Sequence, residues 1–145
     1  MNKNNHNIAI IGAGWYGCHI ASFLLEKGVD IKIFDKSDSF FSGASGVNQN
    51  RLHLGFHYPR CSKTRFYSKN GFQLFKKQYP NFSDKIDKNY YGIHKSKSLL
   101  DFETYKIIMG SENLKFQSVD NDPFFKLKNI EGVINCEEEY INTIK

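Results

Sequence analysis

Cysteine is scarce in this sequence, and its scarcity excludes two kinds of structural cross-link. The 145 residues include three cysteines, which lie far apart and form no Cys-x-x-Cys pair: Cys18, Cys61 and Cys136. An odd number of dispersed cysteines argues against a disulfide framework and against a structural zinc site. Proteins of the reducing cytosol use cysteine in this way. The sequence therefore predicts a cytoplasmic protein without a bound metal.

Long apolar runs are missing too. The first apolar stretch, residues 8–11, is interrupted by Gly12 and is too short for the core of a signal peptide. No segment approaches the roughly 20 apolar residues that a membrane-spanning helix needs. We expect no association with a membrane.

Charge of one sign is not concentrated anywhere in the chain. Lysine and arginine total 20 and aspartate and glutamate total 15, which gives a net charge of +5. The basic residues are scattered, so we expect no nucleic-acid partner, although the surplus would suit an anionic cofactor. Hydrophobic residues make up 40% of the chain, which is enough to form a folded core. The composition does not indicate an oligomeric state.

The first forty residues show the pattern of a strand, a helix and a second strand. Apolar residues 8–11 form a continuous run, which is typical of a strand buried on both faces. A helical pattern of apolar residues follows and ends near Gly28. Residues 31–34 give a second strand that leads to Asp35. This order predicts a right-handed crossover between two parallel strands.

Three glycines separate the first strand from the helix, with the spacing Gly-x-Gly-x-x-Gly. Gly12 would allow a tight turn, Gly14 would let a pyrophosphate approach the backbone, and Gly17 would let the helix pack closely. The helix N-terminus would offer free N–H groups to the phosphates. Asp35 follows at the distance where a carboxylate can bind ribose hydroxyls and repel a 2′-phosphate. The pattern predicts a site for NAD or FAD rather than NADP; the alternative is a chance glycine triplet beside a surface aspartate.

A loop of small residues follows the second strand. Residues 42–46 read Ser-Gly-Ala-Ser-Gly. Small residues let a loop lie against a ligand, and successive N–H groups in glycine-rich turns can form a nest for an anion. Beside the glycine fingerprint we interpret this loop as a cofactor contact, and a flexible surface loop is the alternative.

The stretches IAIIGAGWYGCHIASFLLEKG, IFDK and SGASGVNQNRLHLG together resemble the FAD-dependent oxidoreductases of the D-amino acid oxidase-like superfamily. The resemblance covers nearly the whole chain and is most specific over residues 7–60. It implies a Rossmann-like unit whose small-residue loop closes over the pyrophosphate and ribityl chain of FAD. The usual acid in these flavoproteins is glutamate, so Asp35 is a shorter version of it. The implied cofactor-binding residues are Gly12, Ala13, Gly14, Trp15, Tyr16, Gly17, Asp35, Lys36, Gly43, Ala44, Ser45, Arg51 and His53.

The segment NQNRLHLGFH reads as a strand that leads toward the flavin ring. One face of that strand would carry four residues: Arg51, His53, Gly55 and His57. Gly55 would leave open space where a ring system approaches. Alternatively the two histidines are structural and Arg51 is solvated. Metal binding by the histidines is disfavoured, because Gly55 and Pro59 argue against the helix that would bring them together.

The rest of the chain predicts helices and short strands. We expect a helix over 62–79, a strand over 89–95, a helix over 100–109, and strands within 114–120 and 131–142. The three glutamates at 137–139 read as a solvated edge, and the tyrosines at 90, 91 and 140 as packing residues. The predicted fold class is α/β, with a Rossmann-like βαβ unit and the start of a mixed α+β substrate domain. The expected domains are an FAD-binding region, 1–88, and a partial substrate-binding domain, 89–145.

The resemblance implies an oxidoreductase that oxidises the C–N bond of a small amine or amino acid by hydride transfer to FAD. It also implies a protein more than twice this length, so we interpret the chain as a fragment or truncated product. Two alternatives stay open: a flavin-dependent sugar-nucleotide mutase similar to UDP-galactopyranose mutase, and a non-catalytic dinucleotide-binding domain. The sequence leaves open whether this chain alone is an active enzyme, and it indicates neither the substrate nor a catalytic side chain.

Overall fold

The computed structural model describes residues 8–119 and 129–142. The chain divides into two compact units, residues 1–50 and 51–145, which we call the N-terminal unit and the C-terminal unit. The domain boundary expected after residue 88 stays a prediction.

The N-terminal unit consists of a crossover between two parallel strands and a loop after them. Its elements are β1 (Ile8–Ile11), α1 (Trp15–Glu26) and β2 (Ile31–Phe34). The strands pair in parallel, from Ile8 opposite Ile31 to Ile11 opposite Phe34. The predicted strand–helix–strand order with parallel strands is therefore confirmed.

The strand β1 is less buried than the sequence predicts. Its residues alternate between partly buried and exposed, and the Ile11 side chain is 81% exposed. The prediction of a strand buried on both faces is wrong, because α1 covers the face that carries Ile10 and no described element of this unit covers the other. Apolar surface is thus left open beside both strands.

The C-terminal unit is built from two antiparallel three-stranded sheets and two helices. One sheet has the order β3-β8-β4 and the other the order β5-β7-β6. The elements in chain order are β3 (Arg51–Leu52), α2 (Ser62–Gln78), β4 (Ser83–Lys85), β5 (Tyr90–His94), α3 (Phe102–Ser111), β6 (Phe116–Ser118), β7 (Ile130–Cys136) and β8 (Glu139–Ile141).

These elements confirm most of the sequence-based expectations for the second half of the chain. Both helices, the strand near residue 90 and the two later strand regions are present within two residues of their predicted starts. Asp120, which ends one predicted strand region, lies outside the described residues. The predictions hold here because each helix has a clear boundary signal; for example, the Asp101 carboxylate caps α3 by accepting the Thr104 N–H at 2.8 Å.

The core of the C-terminal unit lies between α3 and the sheet that contains β7. Gly132 allows this packing, since a Cβ atom at that position would lie 2.2 Å from the Phe102 ring. The Tyr105 hydroxyl donates to the Phe56 carbonyl at 3.0 Å within this core. The buried core residues are Phe56, Tyr91, Phe102, Tyr105, Met109, Leu114, Ile134 and Cys136.

Within the described ranges, no helix is both long enough and apolar enough to cross a membrane. The same residues contain no cluster of three side chains suited to bind a metal ion.

Candidate functional site

A groove of about 600 Å³ opens in the N-terminal unit, at the carboxyl ends of β1 and β2. Its walls come from three stretches of sequence: the glycine turn, the end of β2 and the small-residue loop. Ligands of open parallel sheets bind at this end of the strands, because the strand-to-helix turns meet there. The lining residues are Ile11, Gly12, Gly14, Phe34, Asp35, Lys36, Ser37, Ser42, Gly43, Ala44 and Ser45.

The glycines of the fingerprint have distinct geometric reasons to lack a side chain. Gly12 has a φ of +106°, a conformation that other residues rarely adopt. A Cβ on Gly17 would lie 1.9 Å from the Gly12 carbonyl oxygen, so only glycine lets α1 start this close to the turn. A Cβ on Gly14 would lie 3.1 Å from the Ser45 hydroxyl, which narrows the groove at that point.

The Asp35 carboxylate is exposed and is oriented by the backbone on both sides. Its Oδ2 accepts the Ala13 N–H at 2.6 Å, and its Oδ1 accepts the Ser37 N–H at 2.8 Å. The hydrogen bond from Ala13, followed by that from Ser37, holds the pKa of the Asp35 carboxyl below its usual value. The groove therefore carries a fixed negative charge next to the glycine turn.

The small-residue loop folds back to the start of α1. The Ser45 hydroxyl accepts the Trp15 N–H at 3.1 Å, which caps one free donor of the helix N-terminus. The Trp15 ring packs against Phe41, with 5.1 Å between ring centroids. Tyr16 points to solvent and is 87% exposed. The structure thus brings ten of the predicted residues together: seven line the groove, and Ala13, Trp15 and Gly17 lie beside it. Tyr16 lies outside it.

The segment that follows the loop does not form the expected strand. Only Arg51 and Leu52 pair with β8, which is itself three residues long. Gly55 has a φ of +110°, and a Cβ there would lie 3.1 Å from the Arg65 Cα. The prediction of one strand face shared by Arg51, His53, Gly55 and His57 is wrong, because the chain turns at Gly55. The space beside Gly55 is filled by the α2 backbone and is not open to a ring system.

Arg51 and His53 instead lie beside a buried carboxylate of the C-terminal unit. The Glu138 side chain is fully buried and accepts the Leu54 N–H and the Tyr91 hydroxyl, each at 2.8 Å. It also accepts the Asn89 side-chain amide at 3.1 Å. A buried charge is tolerated when such donors replace its water.

Two basic side chains approach the same carboxylate. The Arg51 guanidinium lies 3.3 Å from Glu138 Oε2, donates to the Asn89 side chain, and packs over the Tyr91 ring at 5.2 Å. His53 Nδ1 lies 3.7 Å from the same Oε2. The His53 and His57 rings meet edge to face at 5.0 Å, and His57 packs on Tyr91 at 4.7 Å. We call the following six residues the Glu138 cluster: Arg51, His53, His57, Asn89, Tyr91 and Glu138.

The surroundings in the Glu138 cluster favour an ionised Glu138, a protonated Tyr91 and a neutral His57. Burial raises the pKa of the Glu138 carboxyl, but the His53 imidazole, the Leu54 N–H and the Tyr91 hydroxyl outweigh burial and hold it below its usual value. Burial and the negative charge of Glu138 raise the pKa of the Tyr91 hydroxyl, which therefore stays a donor. Burial lowers the pKa of His57, and the nearby His53 and Arg51 lower it further.

The sequence interpretation of the three consecutive glutamates is wrong for two of them. Glu137 is exposed, but Glu138 and Glu139 are 2% and 6% exposed. Glu139 is bound by Lys76 at 2.5 Å and by the Ser83 hydroxyl at 2.6 Å. Strand alternation does not account for this, because Glu137 and Glu138 lie between β7 and β8 and the neighbours Glu138 and Glu139 are both buried.

A model of the family described as FAD dependent oxidoreductase matches residues 7–91 of the chain. The chain belongs to this family of FAD-dependent oxidoreductases. The match includes the glycine turn, Asp35, the small-residue loop, Arg51 and His53. FAD is the cofactor of the family, which confirms the expected cofactor.

Curated relatives of this FAD-dependent oxidoreductase chain are monooxygenases of fungi. The chain is 42% identical to the FAD-dependent monooxygenase FPY4 of Fusarium mangiferae over 138 residues, which are 95% of this chain and 37% of that protein. It is 38% identical over 73 residues to the FAD-dependent monooxygenase kojA of Aspergillus flavus, covering 50% of this chain and 17% of that protein. The chain thus spans little more than a third of the length of FPY4. No solved structure gives a significant match.

Proposed function

We propose that the chain is the N-terminal portion of an FAD-dependent oxidoreductase and that the groove holds the adenosine diphosphate half of FAD. The observation that carries this proposal is the position of the exposed Asp35 carboxylate, next to a glycine turn and the start of α1. Ribose hydroxyls and a pyrophosphate are the groups that such a carboxylate and such a turn recognise. The residues present therefore fit the nucleotide part of FAD.

Each part of the groove has a role in this proposal. Gly12 and Gly14 let the pyrophosphate approach the backbone, and the N-terminus of α1 contributes its partial positive charge. The Ser45 hydroxyl now occupies the Trp15 N–H, so a phosphate oxygen would compete for that donor. Gly43 and Ala44 form the opposite wall without side chains that would block a ligand. Lys36 adds a positive charge at the rim, while Ala13, Trp15 and Gly17 act through the backbone.

We propose that Arg51 and His53 lie near the flavin ring in the complete protein. Arg51 is already neutralised by Glu138, so it would contribute a fixed donor rather than a free charge. His53 keeps 29% of its side chain exposed and can contact a ligand directly.

The proposed reaction is the oxidation of a C–N bond in a small amine or amino acid, within the cytosol. FAD supplies the redox chemistry by accepting a hydride, and the protein supplies binding and orientation. The names of the relatives favour an oxidoreductase over the sugar-nucleotide mutase.

A second candidate function is monooxygenation, and the names of the relatives favour it. Isotopically labelled dioxygen distinguishes the two in a complete enzyme. An amine oxidase leaves the label in hydrogen peroxide, whereas a monooxygenase transfers one labelled atom to its product.

The FAD proposal is tested by titrating the purified chain with FAD and following flavin fluorescence. Asp35→Ala should weaken binding about tenfold, because it removes charge-assisted hydrogen bonds worth roughly 1.5 kcal/mol. Asp30→Ala is the matched control: Asp30 is an exposed acid just before β2, and it should leave binding unchanged. Equal affinity of the Asp35 variant and the wild type for FAD would show that Asp35 does not contribute to nucleotide binding.

A further inference from the structure

The Glu138 cluster contains one buried side-chain nitrogen that faces a carboxylate without forming a hydrogen bond. His53 Nδ1 is buried and forms no hydrogen bond with any residue in the described ranges. The polar atom recorded beside it is Glu138 Oε2, at 3.7 Å, too long for a hydrogen bond but within the range of an ion pair. The 29% of the side chain that is exposed therefore belongs to other atoms of the ring.

The carboxylate that faces this nitrogen is fixed in place. The Leu54 N–H holds Oε1 at 2.8 Å, while Tyr91 and Asn89 hold Oε2 at 2.8 and 3.1 Å. Glu138 also stays ionised at neutral pH, since its pKa lies below the usual value. A negative charge of fixed position thus acts on the imidazole at close range in a buried setting, where screening is weak.

This charge distinguishes the two neutral forms of the His53 ring. With the proton on Nδ1, the N–H dipole points its positive end at Oε2. With the proton on Nε2, a lone pair on Nδ1 faces a carboxylate oxygen, which is repulsive. The nitrogen that carries the proton in a histidine is set by the group that its ring faces.

The other charged and titratable groups around His53 do not reverse this preference. The Arg51 guanidinium on β3 lies 3.3 Å from the same Oε2. It weakens the negative potential of the carboxylate at His53 but does not remove it. Tyr91 on β5 and Cys136 on β7 remain protonated, because burial raises the pKa of both groups. His57 meets the His53 ring edge to face and is kept neutral by burial.

We infer that Glu138 is a positioning residue that keeps the proton of neutral His53 on Nδ1 and leaves Nε2 as an acceptor. The Nε2 lone pair then suits a ligand group that donates a hydrogen bond, such as an amine N–H or a hydroxyl. If the proposed amine oxidation is correct, this lone pair can take the substrate proton: the N–H bond breaks, an Nε2–H bond forms, and the imidazolium lies beside Glu138. Only this last consequence rests on the proposed function.

The inference is tested on the 145-residue chain itself, by NMR of isotopically labelled histidine above the pH at which the imidazoles titrate. Correlations from the ring carbons' protons to both nitrogens identify the tautomer. His53→Gln assigns the His53 signals through their disappearance. We expect Nδ1 of His53 to resonate as a protonated nitrogen and Nε2 as an unprotonated one. A ring protonated on Nε2, or an equal mixture of the two forms, would overturn the inference.

Glu138→Gln tests the cause, with Glu137→Gln as the matched control on the neighbouring exposed acid. The first change should shift His53 toward a mixture of tautomers, and the second should leave the spectrum unchanged. A folded Glu138→Gln chain with an unaltered tautomer contradicts the inference, and if that variant does not fold, the wild-type spectrum decides alone. Titration of the same samples with FAD reports on the proposed function separately, so the two can fail independently.

Discussion

At the scale of a single residue, the charge of the buried Glu138 carboxylate affects the stability of the C-terminal unit. Burial alone would raise the pKa of its carboxyl, yet the nearby His53 imidazole and the Leu54 and Tyr91 donors hold that pKa below its usual value. A carboxyl whose pKa is lower in the folded state stabilises the fold at any pH above its unfolded pKa. That contribution is lost as the pH falls through the folded value. Acid therefore destabilises this unit through Glu138.

We predict that Glu138→Gln lowers the free energy of unfolding by about 3 kcal/mol at neutral pH, because it leaves the Arg51 charge uncompensated. The loss should shrink as the pH falls below 4.5, where the wild-type carboxyl becomes protonated as well. Urea unfolding at a series of pH values, followed by circular dichroism, measures both effects. Glu137→Gln is the control and should follow the wild-type curve. A loss of stability that is the same at every pH would show that the charge of Glu138 is not its source.

Sequence reasoning predicted how the residues of the groove come together, but it did not predict that Arg51, His53 and His57 meet around Glu138. The glycines and Asp35 could be predicted because a short motif fixes them relative to one crossover, and local spacing encodes that geometry. Glu138 meets Leu54 and Tyr91 from positions 84 and 47 residues away. No local pattern records such a meeting, since it depends on how β8 pairs with β3.

At the scale of elements, α2 packs closely against the loop that precedes it, at Gly55. Gly55 fits against the Arg65 backbone with a left-handed φ. The buried Arg65 side chain then ties the helix to the loop, donating to the carbonyls of Tyr58 and Pro59 at 3.0 and 2.7 Å. A side chain at position 55 would push the two apart.

The contact predicts opposite outcomes for two glycine-to-alanine changes. Gly55→Ala should destabilise the chain by about 2 kcal/mol, because alanine is strained at this φ and its Cβ would crowd the Arg65 Cα. Gly71→Ala should stabilise it by about 1 kcal/mol, since Gly71 lies inside α2 with no atom within 4 Å of the added Cβ. Thermal unfolding of the two variants beside the wild type measures both shifts. An equal effect of the two changes would contradict the close contact at Gly55.

The helices and the long strand β7 followed from the sequence, but the strand at residues 48–57 did not. A helix carries its own hydrogen bonds, so periodicity and caps suffice to predict it. A strand needs a partner of matching length, and β8 offers Arg51 and Leu52 only a short one. The alternation of residue types therefore predicted a strand face over residues 48–57 that does not form, because only Arg51 and Leu52 pair with β8.

At the scale of the whole molecule, the N-terminal unit exposes apolar side chains on both of its strands. Ile11 and Phe34 pair across the two strands and are 81% and 53% exposed. Two parallel strands with one crossover do not form a closed core, because parallel sheets are normally covered on both faces. The chain spans 37% of the length of FPY4. We predict that sequence of the kind that FPY4 carries outside the match would cover this apolar surface.

A fusion of this chain to the part of FPY4 that lies outside the match tests that prediction. We predict that the fusion keeps FAD through gel filtration while the chain alone loses it, because added strands would cover Ile11 and Phe34 and order the groove. Binding of a hydrophobic dye should fall in the fusion for the same reason. The fusion with Asp35→Ala is the control and should release FAD although it folds alike. If the fusion folds but holds FAD no better than the chain alone, the exposed surface is not what limits cofactor binding.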